Sequence, residues 1–214
     1  MKPLSECRLY AFVDTAYLHG RSPETVARQL CDGGADLIQV RAKGASLDLV
    51  SPLARTVRAV TQAADVGLVV NDYLDLAREV GADFCHLGQE DFFGAGFDNI
   101  EQLRKGSSVP FIGLSTHGPA QAQRALQAGA DYLAIGPVYA TATKPAAQPV
   151  TLEYVRWAAA HVTVPWFAIG GITLENLDDV IAAGARRICV VSAILSAPDV
   201  AKRCREFKEA LGRV

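Results

Sequence analysis

The sequence of 214 residues has no strong excess of charge of either sign. Its 21 basic and 23 acidic residues give a formal net charge of −2. Nothing in that balance favours nucleic acid or an anionic membrane as partner, so neither is expected. Affinity for a small polyanion would have to come from a few basic groups gathered in one cleft. No stretch approaches the ~18 uninterrupted apolar residues that a spanning helix needs. The first residues, MKPLSECRLYAFVD, contain no apolar run ending in small residues, so no secretory leader is read there and a cytoplasmic protein is expected. The five cysteines (Cys7, Cys31, Cys85, Cys189 and Cys204) show no CxxC spacing. That excludes the usual signatures of a disulfide frame or zinc site, and small buried thiols are expected.

Against these absences stands a chain that is 50% hydrophobic, enough for a sizeable core. One pattern recurs along it. Gly34-Ala35-Asp36 precedes LIQV, Gly81-Ala82-Asp83 precedes FCHL, Gly129-Ala130-Asp131 precedes YLAI, and Gly184-Ala185-Arg186 precedes RICVV. Glycine just past a helix end accepts the left-handed backbone that other residues resist. The apolar runs have the length and continuity of parallel strands buried on both faces. Four further runs, Leu9–Val13, Val66–Val70, Val109–Leu114 and Val164–Ile169, alternate with them, and amphipathic stretches such as Pro23–Cys31 and Pro119–Ala128 lie between. Eight strands alternating with eight helical segments are the inventory of a single (β/α)8 TIM barrel with parallel strands. An open doubly wound sheet uses the same units. Even repetition and the lack of a polar edge strand favour closure. No linker or composition shift divides the chain, so residues 1–214 are expected to form one catalytic domain.

In such barrels chemistry gathers where strands end and the following loops begin. The polar residues at those ends are Asp14 and Thr15; Gln39, Arg41 and Lys43; Asn71 and Asp72; Gln89 and Asp91; Ser115, Thr116 and His117; Thr141, Thr143 and Lys144; Gly170 and Gly171; and Ser192. Arg41 and Lys43 alternate across Ala42 and project to one side. With Lys144 they form a cationic set suited to a diphosphate, Arg as a fork and Lys as a point charge. The competing reading of each is a solvated charge or an ion pair. Asp72 and Asp91 are hard oxygen donors beside that set, as Mg²⁺ prefers, yet each also stands where a helix N-cap would. Gly170-Gly171-Ile172 and Val191-Ser192 occupy the places after strands seven and eight where barrels often bind a phosphate through main-chain N–H groups. Among the histidines, His86 lies inside a strand and His117 in a loop beside Ser115; neither stands out as a general base.

Taken in order, Gln39-Val40-Arg41-Ala42-Lys43, Val70-Asn71-Asp72, His86-Leu87-Gly88-Gln89-Glu90-Asp91, Ile112 to His117, Gly136 to Pro145, Ala168 to Ile172 and Val191 to Ile194 resemble the successive motifs of the thiamine-phosphate synthase family. The resemblance runs from Leu9 to Ile194; HLGQED together with TxTKP is its most specific part. It implies a transferase of thiamine biosynthesis that joins two small phosphorylated heterocycles. Hydroxymethylpyrimidine diphosphate would lose pyrophosphate as the nitrogen of hydroxyethylthiazole phosphate attacks its methylene carbon. By the same resemblance the diphosphate lies against Gln39, Val40, Arg41, Ala42, Lys43, Asn71 and Lys144, with Mg²⁺ on Asp72 and Asp91. Ser115 would touch the pyrimidine, while Thr141, Ala142, Thr143, Gly171, Val191 and Ser192 hold the thiazole phosphate. Arg41, Lys43, Lys144 and Ser115 are the expected catalytic residues, and a homodimer is implied. The sequence departs from the family at Ala42, where an acidic residue is common, and at Ala142, where proline is frequent. The stretch from Ala146 to Pro149 also lacks a glycine that many relatives carry. Rival readings are the related thiazole tautomerase, for which His117 would be the proton carrier, and a barrel that binds thiamine-related phosphates without turnover.

Overall fold

The computed structural model describes residues 1–104, 110–141 and 148–212. Within them each expected apolar run contains a strand. Strands β1 (Leu9–Asp14), β2 (Leu37–Arg41), β3 (Gly67–Asn71), β4 (Phe84–Gly88), β5 (Phe111–Thr116), β6 (Tyr132–Ile135), β7 (Trp166–Ile169) and β8 (Ile188–Cys189) pair in sequence order. All pairs are parallel, and β8 closes on β1. The intervening helices are α1 (Pro23–Asp32), α2 (Leu47–Ala63), α3 (Leu74–Glu79), α4 (Gln89–Gly94), α5 (Pro119–Gln127), α6 (Thr151–His161) and α7 (Leu177–Ala182). A four-residue helix α8 (Ser192–Leu195) and a longer α9 (Val200–Leu211) follow β8. The fold is a closed (β/α)8 barrel.

Two expectations shift in detail. The eighth strand was expected across Arg187–Val191, but only Ile188 and Cys189 pair regularly, because the backbone at Val191 turns to φ −111°, ψ −87° and enters α8. Strand β7 begins at Trp166 instead of Val164, just past Pro165, whose ring nitrogen has no hydrogen for a sheet ladder.

The Gly-Ala-Asp repeats do more than end helices. Each aspartate caps the start of the preceding strand. Asp36 Oδ2 accepts the N–H groups of Arg8 and Leu9 at 2.8 and 3.0 Å. Asp83 accepts Leu68 N–H at 2.9 Å, and Asp131 accepts Ile112 N–H at 2.7 Å. A cation completes each clamp: Lys2 and Lys208 on Asp36, Arg58 on Asp83, Arg104 on Asp131. N–H groups at the start of β1, β3 and β5, those of Leu9, Leu68 and Ile112, are thereby satisfied. In the fourth repeat Arg186 replaces the aspartate, and the next residue, Arg187, donates to Ser5 O at 2.6 Å.

Above these clamps the barrel interior is plugged by aromatic rings. Tyr10, Phe84, Tyr132 and Phe167 meet edge to face, with centroids 5.4 to 6.5 Å apart. Gly113 makes room for this layer: a Cβ there would lie 2.0 Å from Tyr132 Cζ. Past the plug, open space lies toward the C-terminal ends of the strands.

Asp131→Ala should leave Ile112 N–H unpaired and lower stability by ~1–3 kcal/mol, read by denaturant unfolding, while substrate KM stays unchanged. Asp36 offers a pH test. Burial pushes its carboxyl up, but Lys2, Lys208 and the two N–H groups together hold it below the usual carboxylate range. Its stabilisation is therefore present at neutral pH and is lost as pH falls through the lowered folded value. Asp36→Asn should flatten the acid limb of the stability profile; an unaltered limb would contradict the clamp.

Candidate active site

The open end of the barrel holds a cavity of about 220 Å³. Alternation along the strands decides what lines it, since residues two apart face the same way. From β2 come Gln39 and Arg41, with Lys43 just beyond. Asn71 and Asp72 come from the end of β3, Asp91 from α4, Ser115 from β5, and Thr141, Gly171, Val191 and Ser192 from later loops. These residues span most of the chain and meet in one space. Val40 and Ala42 do not line it; both are buried, Val40 on the alternate face of β2 and Ala42 just past its end. Ala142, Thr143 and Lys144 lie outside the described residues.

Arg41 is tied. Its Nη1 donates to Asp14 Oδ2 at 2.6 Å, across the register that pairs Asp14 with Arg41 on β1 and β2. Gln39 is held too, its amide donating to Tyr10 OH. Burial pushes the Tyr10 and Tyr132 hydroxyls well above the ordinary phenol range, so both stay protonated.

Neither candidate metal ligand caps a helix. The residue preceding α3 is Tyr73 and that preceding α4 is Gly88, and neither makes a side-chain cap. Asp91 is the third residue of α4, and its carboxylate folds back so far that a Cβ on Gly88 would lie 2.5 Å from Oδ2. Asp72 has φ +66°, a left-handed conformation uncommon outside glycine, and its side chain accepts from Asn71 Nδ2 at 2.5 Å. Its main-chain N–H donates to His86 O at 2.9 Å. Strain of this kind persists where surrounding contacts over-determine the backbone, and it collects at functional sites. Among the described residues no group of three or more His, Cys, Asp or Glu is arranged for a metal. Two carboxylates suit Mg²⁺ nonetheless, because it keeps several waters and takes its remaining oxygens from substrate phosphates.

Opposite them the main chain turns through Gly170 and Gly171, at φ +102° and +65°. A Cβ on Gly170 would come within 2.4 Å of Pro137, and one on Gly171 within 2.6 Å of Ala140 O. Asn176 fixes this turn, donating to Gly171 O at 2.9 Å and accepting Thr173 N–H at 2.9 Å. The loop lies against Pro137, which follows a cis peptide bond.

His117 lines the cavity, and its Nδ1 stands 2.5 Å from Gly136 O. A carbonyl can only accept, so Nδ1 is the donor in this contact. Several lining residues were not singled out from sequence: Tyr10, Phe12, Ala134, Pro137, Ile169 and Cys189. Counting back by twos from Asp14 would have found Phe12 and Tyr10; selecting polar strand ends passed over them. Burial pushes the Cys189 thiol well above its ordinary range.

A model of a family described as thiamine monophosphate synthase matches residues 9–194. The chain belongs to the thiamine monophosphate synthase family. It is 40% identical over 204 residues to a thiamine-phosphate synthase of Lawsonia intracellularis, covering 95% of this chain and 92% of that one. Identity to a thiamine-phosphate synthase of Thermus thermophilus is 45% over 180 residues, 84% of each chain. The solved thiamine phosphate pyrophosphorylase of Pyrococcus furiosus superposes with a TM-score of 0.85 at 31% identity, over 98% of both chains. A 3-hexulose-6-phosphate synthase structure matches at 18% identity with a TM-score of 0.63, which speaks to the shared barrel alone. The chain is accordingly a transferase of thiamine biosynthesis.

Gly171→Ala tests the strained turn. A side chain at this backbone angle, crowded by Ala140, should cost ~1–3 kcal/mol and weaken phosphate-substrate binding. An unchanged Tm together with an unchanged KM would show that the turn tolerates a side chain.

Proposed function

We propose that the cavity joins hydroxymethylpyrimidine diphosphate to hydroxyethylthiazole phosphate, giving thiamine phosphate and pyrophosphate. The observation that carries this reading is one space with two unlike anion loci. Arg41, Lys43, Asp72 and Asp91 line one part of it, and the Gly171 turn and Ser192 line another. A diphosphate and a metal fit the first, a monophosphate the second. Thr141 and Val191 complete the phosphate end. On the family resemblance Ala142 and Thr143 are assigned with them, and Lys144 to the diphosphate.

The chemistry asks little covalent work of the protein. The methylene C–O bond breaks with its electron pair leaving on the diphosphate, and the aminopyrimidine ring stabilises positive charge on the methylene. The thiazole nitrogen then gives its lone pair to that carbon and becomes quaternary, so it has no proton to shed and needs no general base. Arg41 and Lys43 face the negative charge that develops on the leaving group. Gln39, whose amide is oriented by Tyr10, joins them at the diphosphate, and Ser115 touches the pyrimidine. The Gly171 turn aligns the thiazole for attack. Asp72 and Asp91 would hold Mg²⁺, which supplies charge neutralisation of the diphosphate when bound.

The tautomerase reading is weaker, because a tautomerase has no diphosphate for Arg41, Lys43 and two carboxylates to serve. We further propose that residues 1–214 act as one catalytic domain in the cytoplasm, as a homodimer in keeping with the family resemblance. The five cysteines are all unpaired, in line with a reducing compartment.

Pyrophosphate release should require both substrates and stop with EDTA. Thiazole isomerisation without pyrophosphate release would replace the synthase by the tautomerase. Asp91→Asn should depress turnover on the order of 10²-fold while leaving thiazole-phosphate affinity nearly intact. Equal loss of both would make Asp91 structural.

A further inference from the structure

We propose that Asp14 is a positioning residue for the diphosphate, acting through Arg41. Its carboxylate is only 1% exposed and does not line the cavity, whereas the Arg41 side chain does. One oxygen, Oδ2, accepts from Arg41 Nη1 at 2.6 Å. The other, Oδ1, accepts the N–H of Ala16 at 3.0 Å, in the 3₁₀ turn Thr15–Tyr17 that follows β1. The carboxylate thus spends one oxygen on its own loop and one on the neighbouring strand. A flexible guanidinium is pinned at one nitrogen, and its remaining donors are left to the cavity.

Charge alone would work the other way. A buried carboxylate beside Arg41 lowers the local positive potential and opposes anion binding. Its benefit has to be geometric: an arginine already held in place loses less rotamer freedom when the diphosphate arrives. The sign of the effect therefore separates the two roles. Asparagine is nearly isosteric, but Ala16 N–H and Arg41 Nη1 approach different carboxylate oxygens, so in asparagine one of these donors would face the NH₂ group.

The proposal rests on the reading of Arg41 as a diphosphate ligand, and the test keeps the two apart. Inorganic pyrophosphate with Mg²⁺ is titrated calorimetrically into the wild type, Asp14→Asn, Arg41→Ala and the double variant, with thiazole phosphate as control ligand. Asp14→Asn should weaken pyrophosphate binding roughly tenfold, as loss of a residue that orients a ligating side chain commonly does, and leave thiazole-phosphate binding unchanged. In the Arg41→Ala background the same change should have no further effect. Tighter or unaltered pyrophosphate binding in Asp14→Asn, or additive losses in the double variant, would overturn the positioning role. Unaltered binding in Arg41→Ala would instead remove the diphosphate reading of Arg41. The wild type carries a second test that needs no variant. Guanidinium NMR should show hindered rotation of the Arg41 group in the ligand-free protein, and free rotation would overturn the proposal.

Discussion

Closure of eight parallel strands into a barrel is the constraint on which the site depends. Once β8 hydrogen-bonds β1, every second residue of every strand points into a space too narrow to be left empty. The chain fills the lower part with Tyr10, Phe84, Tyr132 and Phe167, and glycine at position 113 makes the fit possible. What remains is a pocket closed below and open at one end. Polar strand ends that are tens of residues apart in the chain have nowhere else to meet.

The two ends of the barrel divide the labour. At the bottom, Asp36, Asp83 and Asp131 each cap a strand and take a cation, which are stabilising arrangements remote from the cavity. At the top, carboxylates take part in a different geometry. Asp14 is committed to Arg41, while Asp72 sits in a strained backbone conformation and Asp91 turns back over Gly88. The same residue type clamps strands at one end and stands in or behind the cavity wall at the other.

The pattern of strands and helices could be read locally. Period and helix-ending glycines are properties of neighbouring residues, so the eight runs and the polar strand ends were legible before any coordinates. The motif order from Leu9 to Ile194 carried the family as well. The length of β8 was not legible, since RICVV is apolar throughout and only the backbone turn at Val191 ends the pairing. The inward reach of Tyr10 and Phe12 was overlooked for another reason: apolar residues near strand ends look like core until closure shows which face they take.

By itself the sequence determined the fold class, the family and many of the polar residues that line the mouth of the barrel, because each of these follows from local periodicity or ordered motifs. Tertiary structure decided how those residues are used. Whether Asp72 and Asp91 cap helices or face a cavity, and whether Arg41 stands alone or leans on Asp14, turns on contacts between strands brought side by side. So does the grip of the Gly-Ala-Asp carboxylates on the strands before them. Those contacts exist only after register and closure are set, and register is a relation between distant segments that no single stretch of sequence contains.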